Sequence, residues 1–198
     1  LTVFSMVEHE ADDAMAAAAV RAAADPRVEA VNICTPDKDL AQVVDDVAGI
    51  AQVDRRKEVV YDRAGVVEKF GVEPASIPDW LALVGDAADG IPGLPGWGAK
   101  SASTVLARYC HLEEVPSDPN LWDVAVRGAN RLAATLAERR DEALLYRRLA
   151  TLDLNAPVMD DVDELQWSGP ADHLEAVCAH LDASRVAERA RRLAAERT

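Results

Sequence analysis

The sequence predicts an α/β fold in which a parallel-sheet core is followed by a mostly helical region. Two short runs of apolar and β-branched residues, 30–34 and 59–61, alternate with helix-forming segments in the first 70 positions. Alternation at this spacing is typical of strands joined by helices in a parallel sheet. Beyond Asp62 the strand signal fades, and apolar residues recur at helical spacing.

The first part of the chain contains the predicted sheet. An alanine-rich helix over residues 8–24 is expected to stop at Asp25-Pro26, because proline cannot continue a helix. Residues 30–34 predict a buried strand, which is followed by a loop at 35–39 and a short apolar helix at 40–44. Residues 59–61 predict a second strand.

The remainder is predicted to be helical, with Gly71 ending its first helix and a Gly/Pro-rich stretch at 90–98. Helices are expected at residues 62–70, 77–84, 99–109, 120–150 (with a break near 139–141) and 171–197, and an extended segment at 152–158. We divide the chain into a sheet core at residues 1–70, a hairpin region at 71–112 and a helical C-terminal region at 113–198, expected to pack on the core.

The composition restricts the classes of function. The 198 residues include 35 acidic and 21 basic side chains, and the net charge of −14 argues against a simple nucleic-acid binder. Cations that neutralise clustered acids, or backbone amides that hold phosphate, would overcome this objection. Cys34, Cys110 and Cys178 form no CxxC pair, which predicts neither disulfides nor a zinc site. The sequence has neither a long apolar run nor a signal-peptide pattern, so we expect a cytoplasmic protein without membrane contact.

Acidic residues occur in three short clusters, of which two lie in the predicted core. Glu10, Asp12 and Asp13 begin the first helix, where the alternative interpretation is acids stabilised by the helix macrodipole. Asp37 and Asp39 follow the first strand, at the sheet edge where ligands bind in open α/β proteins. An ordinary turn rich in Asp and Pro is the alternative for this second cluster.

The third cluster, Asp86 and Asp89, precedes a glycine-rich stretch, and its spacing places both carboxylates on one helical face. If the clusters converge, like charges about 4 Å apart cost roughly 4 kcal/mol per pair at an effective dielectric of about 20. Hard divalent cations remove that cost, and oxygen-only ligands favour Mg²⁺ or Mn²⁺ over Zn²⁺. Two such ions would polarise a phosphodiester, generate hydroxide and stabilise the leaving oxygen.

The strongest motif is Gly93-Leu94-Pro95-Gly96-Trp97-Gly98-Ala99-Lys100-Ser101. Its glycines allow a tight turn and close approach of the backbone to another chain. The turn opens into a helix whose first amides can bind an anion, and Lys100 and Ser101 add a charge and a hydroxyl. With the preceding helix, the motif predicts a helix-hairpin-helix that holds DNA by its backbone. A plain Gly/Pro connector is the alternative.

Several side chains near these motifs allow two interpretations. Trp97 can stack on a nucleotide or pack on the protein at the hairpin tip. The basic runs are interpreted as solvated surface rather than as DNA contacts: Arg55-Arg56-Lys57, Arg139-Arg140 and Arg147-Arg148.

Taken in order, three motifs resemble those of the bacterial 5′→3′ exonuclease (flap endonuclease) family, which also forms the N-terminal nuclease region of some DNA polymerases. The motifs are Glu10-Ala11-Asp12-Asp13, Thr35-Pro36-Asp37-Lys38-Asp39-Leu40 and the block of residues 71–102, and the resemblance covers at least residues 4–110. It implies a PIN-like (Rossmann-like) nuclease core with an attached helix-hairpin-helix. It also implies Mg²⁺-dependent, two-metal hydrolysis of DNA from a 5′ end or at a 5′ flap, in replication or repair.

The resemblance assigns site residues by position. The metal-binding acids that it implies are Glu10, Asp12, Asp13, Asp37, Asp39, Asp86 and Asp89, of which we expect Asp13, Asp37 and Asp86 to be catalytic. The residues that it implies for holding duplex DNA are Gly93, Gly96, Gly98 and Lys100, with Ser101 beside them. Backbone carbonyls of this hairpin also bind a potassium ion in relatives. We expect no protein partner.

Two departures from the family pattern affect these expectations. Gly90 stands where the family usually has Asn. The family also begins with a strand that carries an early metal-binding Asp, followed by an arch, and nothing here corresponds to them. We therefore expect the numbering to begin inside a longer protein, and residues 1–198 alone to cleave weakly or not at all. The alternatives are a non-catalytic DNA-binding module, an RNA-cutting PIN-type toxin and a Mg²⁺-dependent phosphatase using Asp37 and Asp39.

Overall fold

The computed structural model describes residues 1–196, which divide into two compact units. Within these residues, the larger unit, Phe4–Val158, contains the sheet and six α-helices. The smaller unit joins Leu1–Val3 to the residues from Met159 onward and contains two helices. All the candidate site residues lie in the larger unit. The three-region division of the sequence stays a prediction.

Among the described residues, the sheet has three strands in the order β1 (Val31–Ile33), β2 (Ile50–Asp54) and β3 (Val59–Tyr61). β1 and β2 pair in parallel, with Val31 opposite Ile50, whereas β2 and β3 are antiparallel. The α/β class is confirmed, but the expectation of a parallel sheet is wrong for β3. Residues 55–58 are too few for the crossover that a parallel pair requires, so they form a hairpin turn.

Strand β2 has no counterpart among the predicted elements, because two of its three buried positions are polar. Ile50, Gln52 and Asp54 are buried, whereas the residues between them are partly exposed. The polar residues therefore occupy the positions where a half-buried strand normally carries apolar ones. Gln52 is stabilised inside the protein because its amide donates hydrogen bonds to the backbone carbonyls of Thr35 and Asp37.

Helix α1 (Ala11–Ala23) packs against the sheet through its alanines. Ala16 and Ala19 are buried in a cluster with Ile33 of β1 and Ile50 of β2. The helix is shorter than the predicted 8–24, since Glu10 has an extended backbone and forms the N-cap. The first acidic cluster thus lies at the N-terminal end of α1.

Five further helices enclose the main hydrophobic core of the larger unit: α2 (Arg63–Phe70), α3 (Ile77–Val84), α4 (Ala99–Tyr109), α5 (Ala129–Glu138) and α6 (Arg140–Ala150). The predicted bounds of α3 and α4 are confirmed. Helix α3 is buried along almost its whole length and packs against α4 and α6. Gly71 ends α2 in the left-handed conformation, as its position predicts.

The segment after α4 departs from its predicted structure in two places. The helix expected over 120–150 begins at Ala129, because the left-handed Gly128 precedes it; upstream, Pro119–Leu121 form a separate 3₁₀ helix. The break near Arg139 is confirmed and separates α5 from α6. Residues 152–158 form turns and irregular backbone rather than the extended segment expected there.

Two smaller differences complete the fold. The predicted helix at 40–44 is the 3₁₀ helix Asp39–Val43. The predicted helix at 171–197 is divided into α7 (Leu174–His180) and α8 (Ser184–Glu196), and its last residue, Arg197, lies outside the described residues. None of the helices described in residues 1–196 has the length and apolar character needed to span a membrane.

Candidate metal centre and phosphate-binding hairpin

The loop after β1 positions Asp37 and Asp39. Asp37 accepts a hydrogen bond from the Lys38 N–H at 2.8 Å, and its own N–H donates to Thr35 Oγ1 at 3.2 Å. Below the loop, Gln52 holds the carbonyls of Thr35 and Asp37. Asp39 begins the following 3₁₀ helix. Hydrogen bonds from Gln52 of β2 therefore fix the loop. Its hydrogen-bonded backbone sets the positions of the Asp37 and Asp39 carboxylates.

Three of the predicted acids come together in one group. Carboxylate oxygens of Asp37, Asp39 and Asp89 all lie within 4.8 Å of one another. Asp39 is 8% exposed, and its Oδ1 is buried without a hydrogen-bond partner among the described residues. Burial, together with the charges of Asp89 and Asp37, raises the pKa of Asp39 to about 7. A buried, unpartnered carboxylate among like charges is unfavourable unless a cation joins it.

Asp86 and Asp89 lie in the turn that follows α3. The backbones of Asp86 and Ile91 bond each other twice at 2.8 Å, which closes the turn. Asp86 is 4% exposed; its Oδ1 accepts the Ala88 N–H and its Oδ2 accepts from the Lys38 ammonium. Asp89 is exposed, and slight burial with the charges of Asp86 and Asp37 raises its pKa. Asp86 thus adjoins the group of three but is engaged by a lysine.

The first cluster contributes differently. Partial burial and the charge of Asp37, followed by that of Glu10, raise the pKa of Asp12, so this side chain lies in the field of the group. Asp13 is turned to other partners: its Oδ2 accepts the Glu10 N–H at 3.0 Å, and its Oδ1 accepts the Asp153 N–H at 2.8 Å. These bonds give Asp13 a part in capping α1.

The oxygen-only composition of this acidic group fits hard divalent ions. Carboxylates are ligands that Mg²⁺ and Mn²⁺ accept, whereas zinc sites usually include His or Cys. The orphaned oxygen of Asp39 is a ready acceptor for such an ion. The acidic group can therefore hold divalent cations.

Two glycines allow the hairpin backbone to cross the end of α3. Gly85 and Gly93 have φ values of 86° and 70°. A Cβ on Gly85 would lie 2.7 Å from the Ile91 carbonyl oxygen, and one on Gly93 would lie 2.6 Å from the Val84 carbonyl carbon. These are backbone atoms that cannot move aside, so both positions require glycine. Gly93 is buried in this crossing and fixes the fold of the hairpin.

The exposed face of the hairpin is formed by Gly96, Gly98 and the start of α4. Beyond its two neighbours in the chain, no described residue has a heavy atom within 4 Å of a Cβ built on Gly98, so a ligand can approach this side of the residue. Ser101 Oγ accepts the Gly98 N–H at 3.0 Å and donates to the Gly98 carbonyl at 2.9 Å. Ser101 therefore stabilises the helix start, and Lys100 beside it is exposed.

Trp97 packs on the protein, which decides between its two interpretations. Its side chain is 7% exposed, its Nε1 donates to the Leu132 carbonyl at 3.3 Å, and its ring lies 6.3 Å from that of Trp122. Stacking on a nucleotide would require the ring to leave this pocket. Trp97 thus fastens the hairpin to α5.

A basic cleft adjoins the hairpin and was not apparent from the sequence. Residues 96–101 and 125–127 line a cleft of about 590 Å³. Arg127 at its edge is exposed, as is Arg131, whose guanidinium lies 3.6 Å from a Cβ built on Gly96. In the described part of the chain neither arginine has an ion-pair partner. The packing of α5 on the hairpin brings Arg131 to Gly96, and Arg127 lines the same cleft as Lys100.

Each of the other basic runs has at least one member engaged with an acid. The backbones of Arg56 and Lys57 donate to Asp54 in the turn between β2 and β3. Arg139 pairs with Glu142. Arg147 pairs with Glu113 and the buried Asp79.

Comparison with known proteins agrees with this architecture. A family model described as a 5′-3′ exonuclease N-terminal resolvase-like domain matches residues 1–71, and one described as a 5′-3′ exonuclease C-terminal SAM fold matches residues 72–173. DNA polymerase I of Pseudomonas aeruginosa is 40% identical over 169 residues, which are 81% of this chain and 17% of the polymerase. The 5′-3′ exonuclease of Aquifex aeolicus is 39% identical over 117 residues, which are 59% of this chain and 37% of that protein. The chain thus spans less than half the length of these relatives.

Solved structures of a bacteriophage enzyme share the fold. T5 5′-exonuclease with bound zinc ions superposes with a TM-score of 0.61 at 20% identity, covering 76% of this chain and 52% of the other. The T5 flap endonuclease in a pseudo-enzyme–product complex with DNA and metal ions gives 0.58 at 21% identity, covering 92% and 62%. With a sheet core, a carboxylate group and a hairpin all inside the span that the two family models match, this chain belongs to the 5′-3′ exonuclease family.

Proposed function

We propose that this protein hydrolyses DNA phosphodiester bonds at 5′ ends or 5′ flaps and depends on divalent metal ions. The observation that carries the proposal is the group of Asp37, Asp39 and Asp89, in which a buried oxygen of Asp39 has no partner among residues 1–196. Membership of the 5′-3′ exonuclease family supports a nuclease over the phosphatase and toxin alternatives. The hairpin beside the group supports DNA as the substrate.

Two ions, Mg²⁺ or Mn²⁺, are the proposed cofactors. Asp37, Asp39 and Asp89 would hold one ion, and Asp12 and Asp86 would extend the site to the second. Bound ions of this kind activate water and stabilise charge on a phosphate. Glu10 and Asp13 complete the proposed set of acids from the first turn of α1, and Asp13, Asp37 and Asp86 are its proposed catalytic members.

The protein's own residues set the geometry of the reaction. The Gln52 amide and the Thr35 hydroxyl hold the loop of Asp37. The paired backbones of Asp86 and Ile91 hold the turn of Asp86 and Asp89. Since both supports are hydrogen bonds to backbone groups, the carboxylates are placed before a substrate arrives, which reduces the cost of organising the site.

Duplex DNA would be held by the exposed face of the hairpin. The free amides at the start of α4 and the Lys100 ammonium suit a phosphate oxygen, and Arg127 and Arg131 add positive charge at the adjoining cleft. Gly93 supports this face from within, and Gly96, Gly98 and Ser101 shape it. A potassium ion on the hairpin carbonyls is part of the proposal. The arrangement explains how a protein of net charge −14 can bind a polyanion locally.

A 5′-labelled flap substrate tests the proposal directly. We expect cleavage with Mg²⁺ or Mn²⁺, none with EDTA, and a large loss on Asp37→Asn or Asp86→Asn with DNA binding retained. Asp141→Asn, at an exposed position in the first turn of α6, is the matched control and should cleave normally. Salt-dependent duplex binding with no turnover in any metal, in the intact gene product as well as in residues 1–198, would instead identify a non-catalytic DNA-binding module. Undiminished cleavage by the two site variants would refute the metal roles.

A further inference from the structure

Asp37, Asp39 and Asp89 are called the metal group below. Lys38 lies between two of these acids in the sequence, but its ammonium binds a different acid, Asp86. Asp37 and Asp39 contribute to the group, whereas the Lys38 ammonium bonds Asp86 Oδ2. We infer that Lys38 is a built-in substitute cation, which neutralises Asp86 in the metal-free protein and is exchanged for a divalent ion when the site is loaded. The inference rests on the proposed function and concerns the control of metal occupancy.

The two partners of this ion pair differ in their freedom to move. The Asp86 side chain is 3% exposed, and its backbone is paired with Ile91. The Lys38 side chain is 43% exposed, so its ammonium can withdraw into water at small cost. The Lys38 backbone stays fixed, because its N–H donates to Asp37 Oδ1 and it caps the 3₁₀ helix. An exchange therefore moves only the lysine side chain.

The charges around Asp86 favour such an exchange. Asp86 raises the pKa of both Asp39 and Asp89, which places its charge beside the group of three. An ammonium carries one positive charge and compensates one of these acids, whereas a divalent ion compensates two. In metal-free protein Lys38 thus reduces the repulsion, and a divalent ion that binds Asp86 must displace it.

Removal of Lys38 should therefore strengthen metal binding. Isothermal titration calorimetry with Mn²⁺ alone, at low salt, compares the metal affinity of wild type with that of Lys38→Met. We expect the variant to bind Mn²⁺ about tenfold more tightly, because a charge-assisted hydrogen bond no longer has to be broken. Lys57→Met is the matched control, since Lys57 also pairs with a buried aspartate, Asp54, at 3.4 Å. Its Mn²⁺ affinity should stay within twofold of wild type.

A second readout follows the lysine itself. The side-chain ¹⁵N resonance of Lys38, assigned by its absence in Lys38→Met, should shift on addition of Mg²⁺ as the ion pair opens. Unchanged or weaker Mn²⁺ binding by a folded Lys38→Met variant would overturn the inference, as would an unmoved resonance at saturating Mg²⁺. If wild type binds no divalent ion, the proposed function fails as well. If wild type and Lys38→Met bind Mn²⁺ equally tightly, only the inference about Lys38 is rejected, and the proposed function is unaffected.

Discussion

Asp39 and Asp79 are buried aspartates in the same unit with opposite surroundings. Asp79 is 1% exposed and is fully compensated: it accepts the Leu112 N–H at 3.2 Å, contacts His111 Nδ1 at 2.9 Å and pairs with Arg147 at 3.2 Å. Asp39 is 8% exposed and meets other carboxylates, and one of its oxygens has no partner within residues 1–196.

The difference separates a structural acid from a functional one. Asp79 ties α3 to α6 and to the segment after α4 through its three partners. Its compensation comes entirely from the fold. Asp39 has the same chemistry but is left uncompensated, which the fold tolerates at a cost in stability. Burial of a carboxylate with a missing partner among other acids is therefore the property that distinguishes Asp39 from Asp79.

The largest expected effect is the loss of metal-dependent cleavage on Asp39→Asn. Neutralising this residue removes a ligand charge at the centre of the group, so we expect the cleavage rate with Mg²⁺ to fall on the order of 1000-fold. Gel assays of the 5′-labelled flap measure the rate. The neutral exchange Asp141→Asn provides the baseline, and a rate within threefold of wild type would show that Asp39 is not a ligand.

Arg147→Met should instead lower the stability of the protein, because it removes an ion-pair partner of Asp79. Removing the arginine leaves Asp79 buried with weaker partners, which we expect to lower the free energy of unfolding by about 3 kcal/mol. Urea denaturation measures this change, and Mn²⁺ affinity should stay the same because the arginine is not part of the metal group. Arg148→Met, an exposed neighbour, should change stability by less than about 0.5 kcal/mol. Equal losses in both arginine variants would contradict a special role for Asp79.

Asp39→Asn should stabilise the metal-free protein above neutral pH. The folded pKa of Asp39, about 7, lies above its ordinary value of 3.8, so the folded chain keeps a proton that the unfolded chain has released. Wild-type stability in EDTA should therefore fall as pH rises from about 4 to about 7. The asparagine variant avoids this loss, and we expect a gain of about 2 kcal/mol at pH 8 and little at pH 4. Thermal unfolding in EDTA at both pH values tests it; a loss of stability at pH 8 would contradict the repulsion.

Arg127→Ala and Arg131→Ala should have the smallest effects. Each removes one cation from the cleft beside the hairpin, so duplex binding should weaken several-fold at any sequence, and the salt dependence should lose about one unit of slope per arginine. Fluorescence anisotropy over a salt series gives both quantities. Arg55→Ala, in the turn that we interpret as solvated, should bind like wild type. A loss as large as that of the cleft variants would make this turn a DNA contact.

Much of the fold could be predicted because apolar residues recur at helical spacing and because glycines end α2 and α3. The bounds of α3 and α4, the left-handed Gly71 and the break at Arg139 follow from such local signals. Strand β2 could not be predicted, since two of its buried residues are polar: Gln52 bonds a distant loop, and Asp54 bonds the turn that follows the strand. The short turn between β2 and β3 makes these strands antiparallel. That direction could be predicted only if β2 had been recognised.

The candidate site shows the same limit. The motifs predicted which acids form the site, and this stays a prediction; their spacing could not show that Asp37, Asp39 and Asp89 meet, while Asp13 bonds the backbone of Asp153. The Lys38 ion pair and the cations at the cleft depend on distant packing. Local sequence carries the identity of a functional residue, whereas its partners are set by tertiary structure.

The crossing of the hairpin over the end of α3 has a consequence for where a strand would be cut. The Leu94 N–H donates to the Leu83 carbonyl at 2.9 Å, so the turn that carries Asp86 and the face that we propose to hold a phosphate share one base. If the proposed function holds, the number of nucleotides between the bound phosphate and the hydrolysed bond would then be set by the protein. The fixed spacing would set the cleavage position, and lengthening the turn would move that position along the DNA.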